Sequence, residues 1–460
     1  MSSFVLELPL RITEKALKIL KLRFEAARFI YNASLGEALK RLSLARESKL
    51  WQEARKDKKL YKKALEKYCF SEYSLHLYVK EIQKEFSTKI DSSTAQKIAT
   101  RAFLAVKEYL YKKRGKPRFK GKNQFNSIEG KSNVTGIRFL EGKINWKDLV
   151  IDPIYDSKDK FGIEAHGLNS KTKYVRLLRK YINGKEKFYA QLIQDGNPKN
   201  KYNTTQNTVG LDIGPSTIAY VSNTKAKLTI FSKTLQLKEN EKKKLQRQKS
   251  HKKINSLRYN KLKIKIAEIN RKEAQSRKKL HGNLANEILK IGNLIKTEKL
   301  SYKAFQKNFG KSINKRAPGK FLEILRRKAE NAGGKVLEFS PHLLKLSQRC
   351  HICSVMKKKK LSDRYHLCCN INAQRDLYSA YLAQFVDENN NFDNIQAEIA
   401  WTSAELLLEQ ALSECRETMS GDERLASFGL NQRQNSLSVK GRSIHTEVWD
   451  VVPKQNFGRA

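Results

Sequence analysis

Hydrophobic and polar residues alternate at the start of the chain and then change to a helical period. The segment FVLELPL, at positions 4–10, has apolar side chains at nearly every second position and predicts a strand. From about position 14 to 113 the apolar residues recur with a helical spacing and glycines are few, which predicts a helical domain. The many Lys, Arg, Tyr and Phe side chains of this block are, taken one at a time, best interpreted as a solvated face over a core.

Short β-type runs follow the helical block and are separated by Gly and Asn turns. They are GIRFLEGKINW at 136–146, KYVRLLRKYI at 173–182 and KFYAQLIQDG at 187–196. These runs predict a small β-barrel or meander. Because positions 4–10 resemble them in type, we expect the helical block to be inserted into this β domain.

The second half of the chain alternates strands with helices, which is typical of an α/β domain. A polar linker at 200–207 precedes TVGLDIGPSTIAYVS, which predicts a strand, a tight turn and a second strand. A basic stretch at about 237–290 predicts a helical hairpin or two long helices. Two further strands are expected in NLIKTEKLSYK and KVLEFSP, and two further helices in GKFLEILRRKAENAGG and, at 397–414, AEIAWTSAELLLEQALSE.

The charge balance points to a partner. The 460 residues include 93 Lys and Arg against 46 Asp and Glu, a formal net charge of +47. Such an excess repels itself in a compact protein unless a polyanion shares the surface, and nucleic acid is the commonest such partner. The excess is uneven, since 231–280 has 18 basic and 4 acidic residues whereas 384–460 has 7 and 12. The body of the chain is therefore expected to bind the polyanion, with a ribosomal-type protein or a membrane-surface binder as the alternatives.

Length and hydropathy set the class of protein. A chain of 460 residues predicts two to four domains, and 39% hydrophobic residues are enough for globular cores. The sequence has no run of about 20 apolar residues and no signal-peptide core at its start. We therefore expect a cytoplasmic protein without a membrane partner.

Four of the six cysteines crowd into twenty residues and predict a metal site. They are Cys350, Cys353, Cys368 and Cys369, and in a reducing compartment such clustering favours a metal over disulfides. The first pair is a Cys-x-x-Cys zinc knuckle, whose two-residue spacing lets both thiolates reach one tetrahedral ion. The second half is irregular because adjacent cysteines chelate one ion less easily. Two ligand sets stay open: the four cysteines, or a set in which His366 replaces one of them.

Three acidic residues occur in or beside apolar segments, where a carboxylate is unusual. Asp212 lies inside the apolar run VGLDIG, Glu298 follows the apolar start of NLIKTEKL, and Asp376 opens an apolar helix. Each can be a metal ligand, since Mg²⁺ prefers hard oxygen atoms. Each also has an ordinary structural interpretation: a turn cap for Asp212, a surface ion pair for Glu298 and a helix cap for Asp376.

Taken together in order and spacing, these segments resemble the TnpB (OrfB) family of insertion-sequence proteins, relatives of type V CRISPR effectors. GLDIGPSTIA is similar to the family's first RuvC motif, IKTEKLS to the second and QRDLYSAYLA to the third. LSQRCHICS and KKKLSDRYHLCC resemble its zinc ribbon, and LQRQKSHKKINS fits the basic segment of the family. The resemblance covers roughly positions 4–385.

The resemblance implies a multidomain α+β fold. Its parts would be a wedge-like β-barrel domain at 1–13 and 126–199, a helical recognition domain at 14–125, an RNase H-like (RuvC) α/β nuclease domain at 207–345 and 370–386, an inserted zinc ribbon at 346–369 and a C-terminal tail at 387–460.

The resemblance also implies an activity. It implies an RNA-guided DNA endonuclease in which Asp212, Glu298 and Asp376 bind two Mg²⁺ ions. The cysteines would bind a structural Zn²⁺. The protein would be a monomer that binds a guide RNA and double-stranded target DNA. The sequence departs from the family pattern at Pro215, Ser216, Gln374 (usually Asp) and Tyr378 (usually Asn). The alternatives are an RNA-guided repressor that does not cut DNA and a transposase that joins strands.

Overall fold

The structure is a computed structural model, and it describes residues 2–53, 57–199, 204–232, 238–360, 362–418 and 428–430. Positions 200–203 of the linker, Leu237 at the start of the basic stretch and most of the tail after 418 lie outside the described residues. The chain divides into two compact units. The first comprises 1–209, 232–295 and 301–337, and the second comprises 210–231, 296–300 and 338–460.

The first unit begins with a strand and a block of helices, as the change of period predicts. The elements are β1 (Ser3–Pro9), α1 (Glu14–Glu47), α2 (Lys49–Glu53), α3 (Lys58–Lys67), α4 (Glu72–Glu85) and α5 (Ser92–Leu110). Side chains that cap the first turn fix where the longer helices begin: Thr13 accepts the N–H of Ala16 in α1, and Asp91 accepts that of Thr94 in α5.

Strands follow the helical block and form two sheets. The elements are β2 (Ser127–Glu129), β3 (Ile137–Leu140), β4 (Lys143–Trp146), β5 (Leu149–Ile151), α6 (Ile163–Asn169), β6 (Thr172–Ile182) and β7 (Lys185–Asp195). One sheet has the order β1-β7-β6-β2 and the other β3-β4-β5. β1 pairs antiparallel with β7 from Ser3 opposite Asp195 to Pro9 opposite Tyr189. The strand before the helices thus shares a sheet with strands after them.

The strands after the helical block pair as expected for a meander, and the barrel stays a prediction. β3, β4 and β5 pair in chain order, and an isolated bridge between Leu10 and Pro153 joins their sheet to the segment that follows β1. The β3–β4 and β4–β5 connections are tight turns, with positive φ at Glu141, Gly142 and Lys147. These strands therefore pair with each other as a meander.

Helices and strands of this unit share one hydrophobic core. The core includes Phe24 of α1, Val106 of α5, Trp146 of β4 and Leu192 of β7. Arg23, 2% exposed, crosses this core: it donates to the carbonyl oxygen of Trp146 at 2.6 Å, and its guanidinium lies 4.7 Å from the centre of that ring. α1 is thereby fixed to the β3-β4-β5 sheet.

The basic stretch forms a helical hairpin, followed by two shorter helices. The elements are α7 (Glu239–Ser250), α8 (Leu257–Ile291), α9 (Tyr302–Arg316) and α10 (Pro318–Asn331). α8 packs against α7 and α10. The side chain of Ser256 accepts the N–H of Tyr259, so α8 begins after a capped turn that separates it from α7.

His281 makes the stability of this helical packing depend on pH. It is 1% exposed, its Nε2 donates to the carbonyl oxygen of Arg316 at 2.9 Å, and its ring lies against Phe321. Burial, assisted by the charge of Arg277, lowers its pKa to about 4. In the unfolded chain, His281 therefore binds a proton below about pH 6.5. In the folded protein it does so only below about pH 4.

Consequently the free energy of unfolding should fall as the pH drops from 7 to 5, by about 1 to 2 kcal/mol from this group alone. Denaturant titrations of the wild type and of His281→Gln at both pH values measure the difference. Gln has an N–H that can donate to the same carbonyl, but it does not titrate. An equal pH effect in both proteins would contradict the prediction.

The second unit contains most of a five-stranded sheet. The strands are β8 (Thr208–Ile213), β9 (Thr217–Val221), β10 (Ala226–Ile230), β11 (Leu294–Glu298) and β12 (Lys335–Phe339), in the order β10-β9-β8-β11-β12. The boundaries between the units fall within β8, β11 and β12. The remaining elements are α11 (Pro341–Leu344), a 3₁₀ turn (Leu346–Gln348), β13 (Tyr365–Cys368), β14 (Ile371–Gln374), α12 (Arg375–Ala383), α13 (Asn394–Ile399) and α14 (Trp401–Thr418).

Two predicted elements have different limits in the structure. The run NLIKTEKLSYK is a strand only as far as Glu298, and a helix begins at Tyr302. The single helix expected at 397–414 is two helices, α13 and α14. Tyr381 donates its hydroxyl proton to the carbonyl oxygen of Ala397, the acceptor that the N–H of Trp401 would use in a continuous helix. No helix of the described residues is long and apolar enough to span a membrane.

Candidate metal centres

A glycine lets the strand that carries Asp212 approach the helix that carries Asp376. In β8, Asp212 lies opposite Ala219 of β9, in an antiparallel pair. A Cβ atom on Gly210 would lie 1.8 Å from the carbonyl oxygen of Ala380 in α12. Any other residue at this position would push the helix away from the strand. The glycine of the VGLDIG run therefore sets the distance between two of the three predicted acids.

Asp376 lies in the first turn of α12 but is not the cap of that helix. The N-cap residue is Gln374, whose side-chain oxygen accepts the N–H of Leu377 at 2.8 Å. Asp376 itself accepts a hydrogen bond from Thr217 Oγ1 in β9 at 3.2 Å, and Arg375 Nε lies 3.8 Å from its other oxygen. The ordinary interpretation of Asp376, a helix cap, therefore does not describe its contacts.

The pKa values of all three acids are raised, and at Asp212 the charges of the other two contribute. Burial, then the charges of Asp376 and Glu298, raises the pKa of Asp212 well above its usual range. Burial raises the pKa of Glu298 to about 7, whereas an ion pair with a surface lysine would lower it. Burial likewise raises the pKa of Asp376, although Arg375 and Arg364 oppose the shift. Burial disfavours the charged form of a carboxylate, and a nearby divalent cation stabilises that form.

The cysteines are more tightly grouped than these acids. The Sγ atoms of Cys350, Cys353, Cys368 and Cys369 all lie within 4.8 Å of one another. In the described part of the chain, no other group of three or more His, Cys, Asp or Glu ligand atoms is this close together. The measured Sγ–Sγ distances include 3.6 Å for Cys353–Cys368 and 3.7 Å for Cys368–Cys369. Four thiolates at about 2.3 Å from a tetrahedral Zn²⁺ would be about 3.8 Å apart. The cluster can hold a metal ion of this kind.

Two turns bring the four thiols together. In the first, the N–H of Cys350 donates to the carbonyl oxygen of Val355 at 3.1 Å, and Ser354 has a φ of 56°. In the second, β13 and β14 form a hairpin whose two loop residues, Cys369 and Asn370, have φ values of 50° and 63°. Positive φ at both loop positions is the geometry of a type I′ turn.

The hairpin explains the compressed second knuckle. Because Cys369 lies in the left-handed region, its side chain turns back toward that of Cys368, and the two adjacent thiols reach one point. His366 is not a member of the group; Lys359 contacts its Nδ1, and its ring stacks on Tyr378 at 4.2 Å. Of the two ligand sets left open by the sequence, the structure brings together the four cysteines.

Thiols of the cluster influence one another's pKa. The N–H of Val355, with the neighbouring thiols, lowers the pKa of Cys353 to about 7. The thiol of Cys368, which hydrogen-bonds to Cys353, has its pKa raised to about 12. One thiolate is thus stabilised by its neighbours, and a cation is what would favour deprotonation of the others.

Sequence reasoning missed the residues that surround both clusters. Thr217 contacts Asp376 and Arg364 influences its charge, while His351 of the first knuckle contacts Tyr378 of α12. Thr217 sits in a strand and His351 within a knuckle, where neither position marks a role in the sequence. Only Tyr378 carried a signal, since it departs from the family pattern.

Comparisons with known proteins give a fold and no family. No protein-family model matches the chain, and no curated protein matches it. Among solved structures, a chain in the cryo-EM structure of a Cas12f1–sgRNA–target DNA complex aligns over 80% of this chain and 82% of its own length, at 16% identity and a TM-score of 0.51. A chain in the cryo-EM structure of a CRISPR–Cas12f ternary complex aligns over 83% of each chain, at 15% identity and a TM-score of 0.32.

The first of these likenesses decides the fold. The chain has a Cas12f-like multidomain α+β fold. The expected likeness to type V effectors is therefore confirmed for the fold alone. The TnpB family, the RuvC and wedge assignments, the domain boundaries and the catalytic residues stay predictions.

Proposed function

We propose that this chain is an RNA-guided DNA endonuclease of the TnpB kind, which cleaves target DNA by Mg²⁺-dependent phosphodiester hydrolysis at Asp212, Glu298 and Asp376. The observation that carries the proposal is that these acids, from three distant segments, lie in one compact unit, where the charges of Asp376 and Glu298 act on Asp212. The shared fold supports it, because the Cas12f1 chain with that fold is in complex with an sgRNA and target DNA. A guided nuclease of this type leaves sequence recognition to base pairing and binds the duplex by shape and charge.

The donor set fits Mg²⁺. Three carboxylates offer hard oxygen atoms, and burial, then the charges of Asp376 and Glu298, raises the pKa of Asp212. When bound, Mg²⁺ would polarise the phosphodiester and lower the pKa of the attacking water. Within the chain, the hydroxyl of Thr217 fixes one oxygen of Asp376, and Arg375 lies beside the other. These contacts orient Asp376 before any ligand arrives, so less reorganisation is needed in the reaction.

The four cysteines are proposed to bind a structural Zn²⁺. A closed set of four thiolates leaves no open position for a substrate, which is the property of structural zinc sites. The knuckles lie in the sequence between the segments that carry Glu298 and Asp376, in the same compact unit. Zinc would therefore stabilise the unit that carries all three acids.

The basic hairpin of α7 and α8 is the proposed binding surface for the phosphate backbone. Cavities of about 520 and 460 Å³ lie along it, and neither has an acidic residue in its lining. The lining side chains are Asn240, Lys243, Lys244, Arg247, Gln248, His251, Lys252, Arg258, Lys261 and Leu262. A groove with charge of one sign raises the local concentration of a polyanion and its rate of association.

Charge reversal tests this surface. Lys244→Glu combined with Arg247→Glu should weaken binding of the guide RNA more than tenfold and reduce the slope of log K against log salt by about 1.4 to 1.8, because each lost phosphate contact removes about 0.7 to 0.9. Filter binding at several salt concentrations measures both. The control reverses Lys84 and Lys320, exposed lysines that already pair with Glu81 and Glu323. An unchanged slope in the test variant would exclude this surface.

The proposed function is tested with the full chain and its own RNA. The protein is purified with co-expressed RNA, the RNA is sequenced, and the complex is incubated in Mg²⁺ with plasmids that carry matching targets beside randomised flanks. We expect cuts that depend on the guide and lie beside a fixed short motif. Bound RNA and retained DNA without cuts would mean a repressor, and joined strands would mean a transposase. Purified protein without RNA would overturn the family inference.

A further inference from the structure

Tyr378 connects the cysteine cluster to the helix that carries Asp376. It lies in α12, two residues after Asp376, and its side chain is fully buried at 0% exposure. Successive residues of a helix are about 100° apart around its axis, so positions two apart point about 200° from each other. Asp376 faces Thr217 on one side of the helix, and Tyr378 faces the cysteine knuckles on the other.

The hydroxyl of Tyr378 makes two hydrogen bonds with the first knuckle. The backbone N–H of His351 donates to the Tyr378 oxygen at 3.2 Å, and Nδ1 of the same histidine lies 2.8 Å from that oxygen. Because the oxygen already accepts from the amide, the hydroxyl proton is free to be donated to Nδ1. Both bonds go to the residue directly after Cys350. The hydroxyl therefore fixes the position of the first knuckle relative to α12.

The ring of Tyr378 contacts the second knuckle. It stacks on the ring of His366 with centroids 4.2 Å apart and an interplanar angle of 25°. His366 lies in β13 two residues before Cys368, so the two side chains point to the same face of the strand. One buried side chain of α12 thus touches both halves of the cluster, through its hydroxyl and through its ring.

α12 has little freedom to absorb a shift at Tyr378. Its first turn is capped by Gln374, and its middle lies so close to β8 that a Cβ atom on Gly210 would meet the carbonyl oxygen of Ala380 at 1.8 Å. A change in the knuckles is therefore expected to move the short helix as a body and Asp376 with it.

We propose that Tyr378 is a positioning residue that couples metal occupancy of the cysteine cluster to the placement of Asp376. The inference rests on the proposed function in so far as Asp376 is a ligand of the nuclease site. A metal-filled cluster fixes His351 and His366, these fix Tyr378, and Tyr378 fixes the first turn of α12. Loss of the metal would therefore change the placement of Asp376, although the metal does not contact that residue.

The test combines a double-mutant cycle with hydrogen exchange on the full chain. Tyr378→Phe should slow single-turnover cleavage by about tenfold at saturating target, since it removes a buried hydroxyl with two partners, while RNA and DNA binding stay unchanged. Cys353→Ser should slow the wild type but slow Tyr378→Phe much less, because the connection is already broken. The matched control is Tyr381→Phe, a buried tyrosine one turn on in the same helix, whose hydroxyl bonds to Ala397.

Hydrogen exchange of the α12 amides gives a readout that does not depend on cleavage. Chelation of the metal should increase exchange in α12 of the wild type and of Tyr381→Phe by a similar factor. Tyr378→Phe should exchange fast whether or not the metal is present. If these exchange results are obtained but the protein does not cut DNA, the coupling between the cysteine cluster and α12 is supported and the proposed function is wrong. The inference would be overturned if the rate effects of Tyr378→Phe and Cys353→Ser simply multiplied in the double variant. It would also be overturned if chelation of the metal left hydrogen exchange in α12 of the wild type unchanged.

Discussion

Asp212→Asn is expected to abolish guide-directed cleavage, by at least about a hundredfold, while leaving RNA and target binding unchanged. Asn has nearly the shape of Asp but lacks the negative charge that a Mg²⁺ ligand needs. Cleavage of a matched plasmid measures the loss, and gel shifts measure the binding. Asp363→Asn, which replaces an exposed acid of the same compact unit, is the control and should cut normally.

The stability of the same variant separates a catalytic role from a structural one. In the wild type, burial and the charges of Asp376 and Glu298 raise the pKa of Asp212, so its ionised form destabilises the metal-free fold. Asp212→Asn should therefore melt at the same or a higher temperature without Mg²⁺, and Mg²⁺ should stabilise it less than the wild type. A lower melting temperature together with lost binding would make Asp212 a structural residue, contrary to the proposal.

Cys350→Ser is expected to remove most of the bound zinc and to unfold the knuckles. Cys350 is 1% exposed and belongs to the group of thiols within 4.8 Å. Structural zinc contributes about 10 to 16 kcal/mol in small zinc-binding peptides, so losing one thiolate should lower the melting temperature strongly. Elemental analysis gives the zinc content per chain, and calorimetry gives the stability.

The control for that experiment is Cys69→Ser, an exposed cysteine outside the cluster, which should retain all the zinc. His366→Gln provides a second comparison, because it distinguishes the two ligand sets that the sequence left open. Near-normal zinc in His366→Gln, with loss in Cys350→Ser, is the expected pair of results. Full zinc content in Cys350→Ser would refute the four-thiolate site.

Elements with a strong local signal were predicted correctly. The alternation at 4–10, the helical period of 14–113 and the VGLDIG run all gave the expected element type. One error lies where another part of the chain intervenes. The single helix expected at 397–414 is two helices, and near their junction Tyr381 donates its hydroxyl proton to the carbonyl oxygen of Ala397.

By itself, the sequence determined most of the elements, the basic stretch and the candidate ligands, because period, charge and ligand type are properties of short segments. It did not reveal which candidates meet. Tertiary structure alone brings the charges of Glu298 and Asp376 close enough to act on Asp212, since the three residues come from positions up to 164 apart. It also selects the four thiols over His366, because the left-handed turn at Cys369 and the stack on Tyr378 depend on packing that no local pattern encodes.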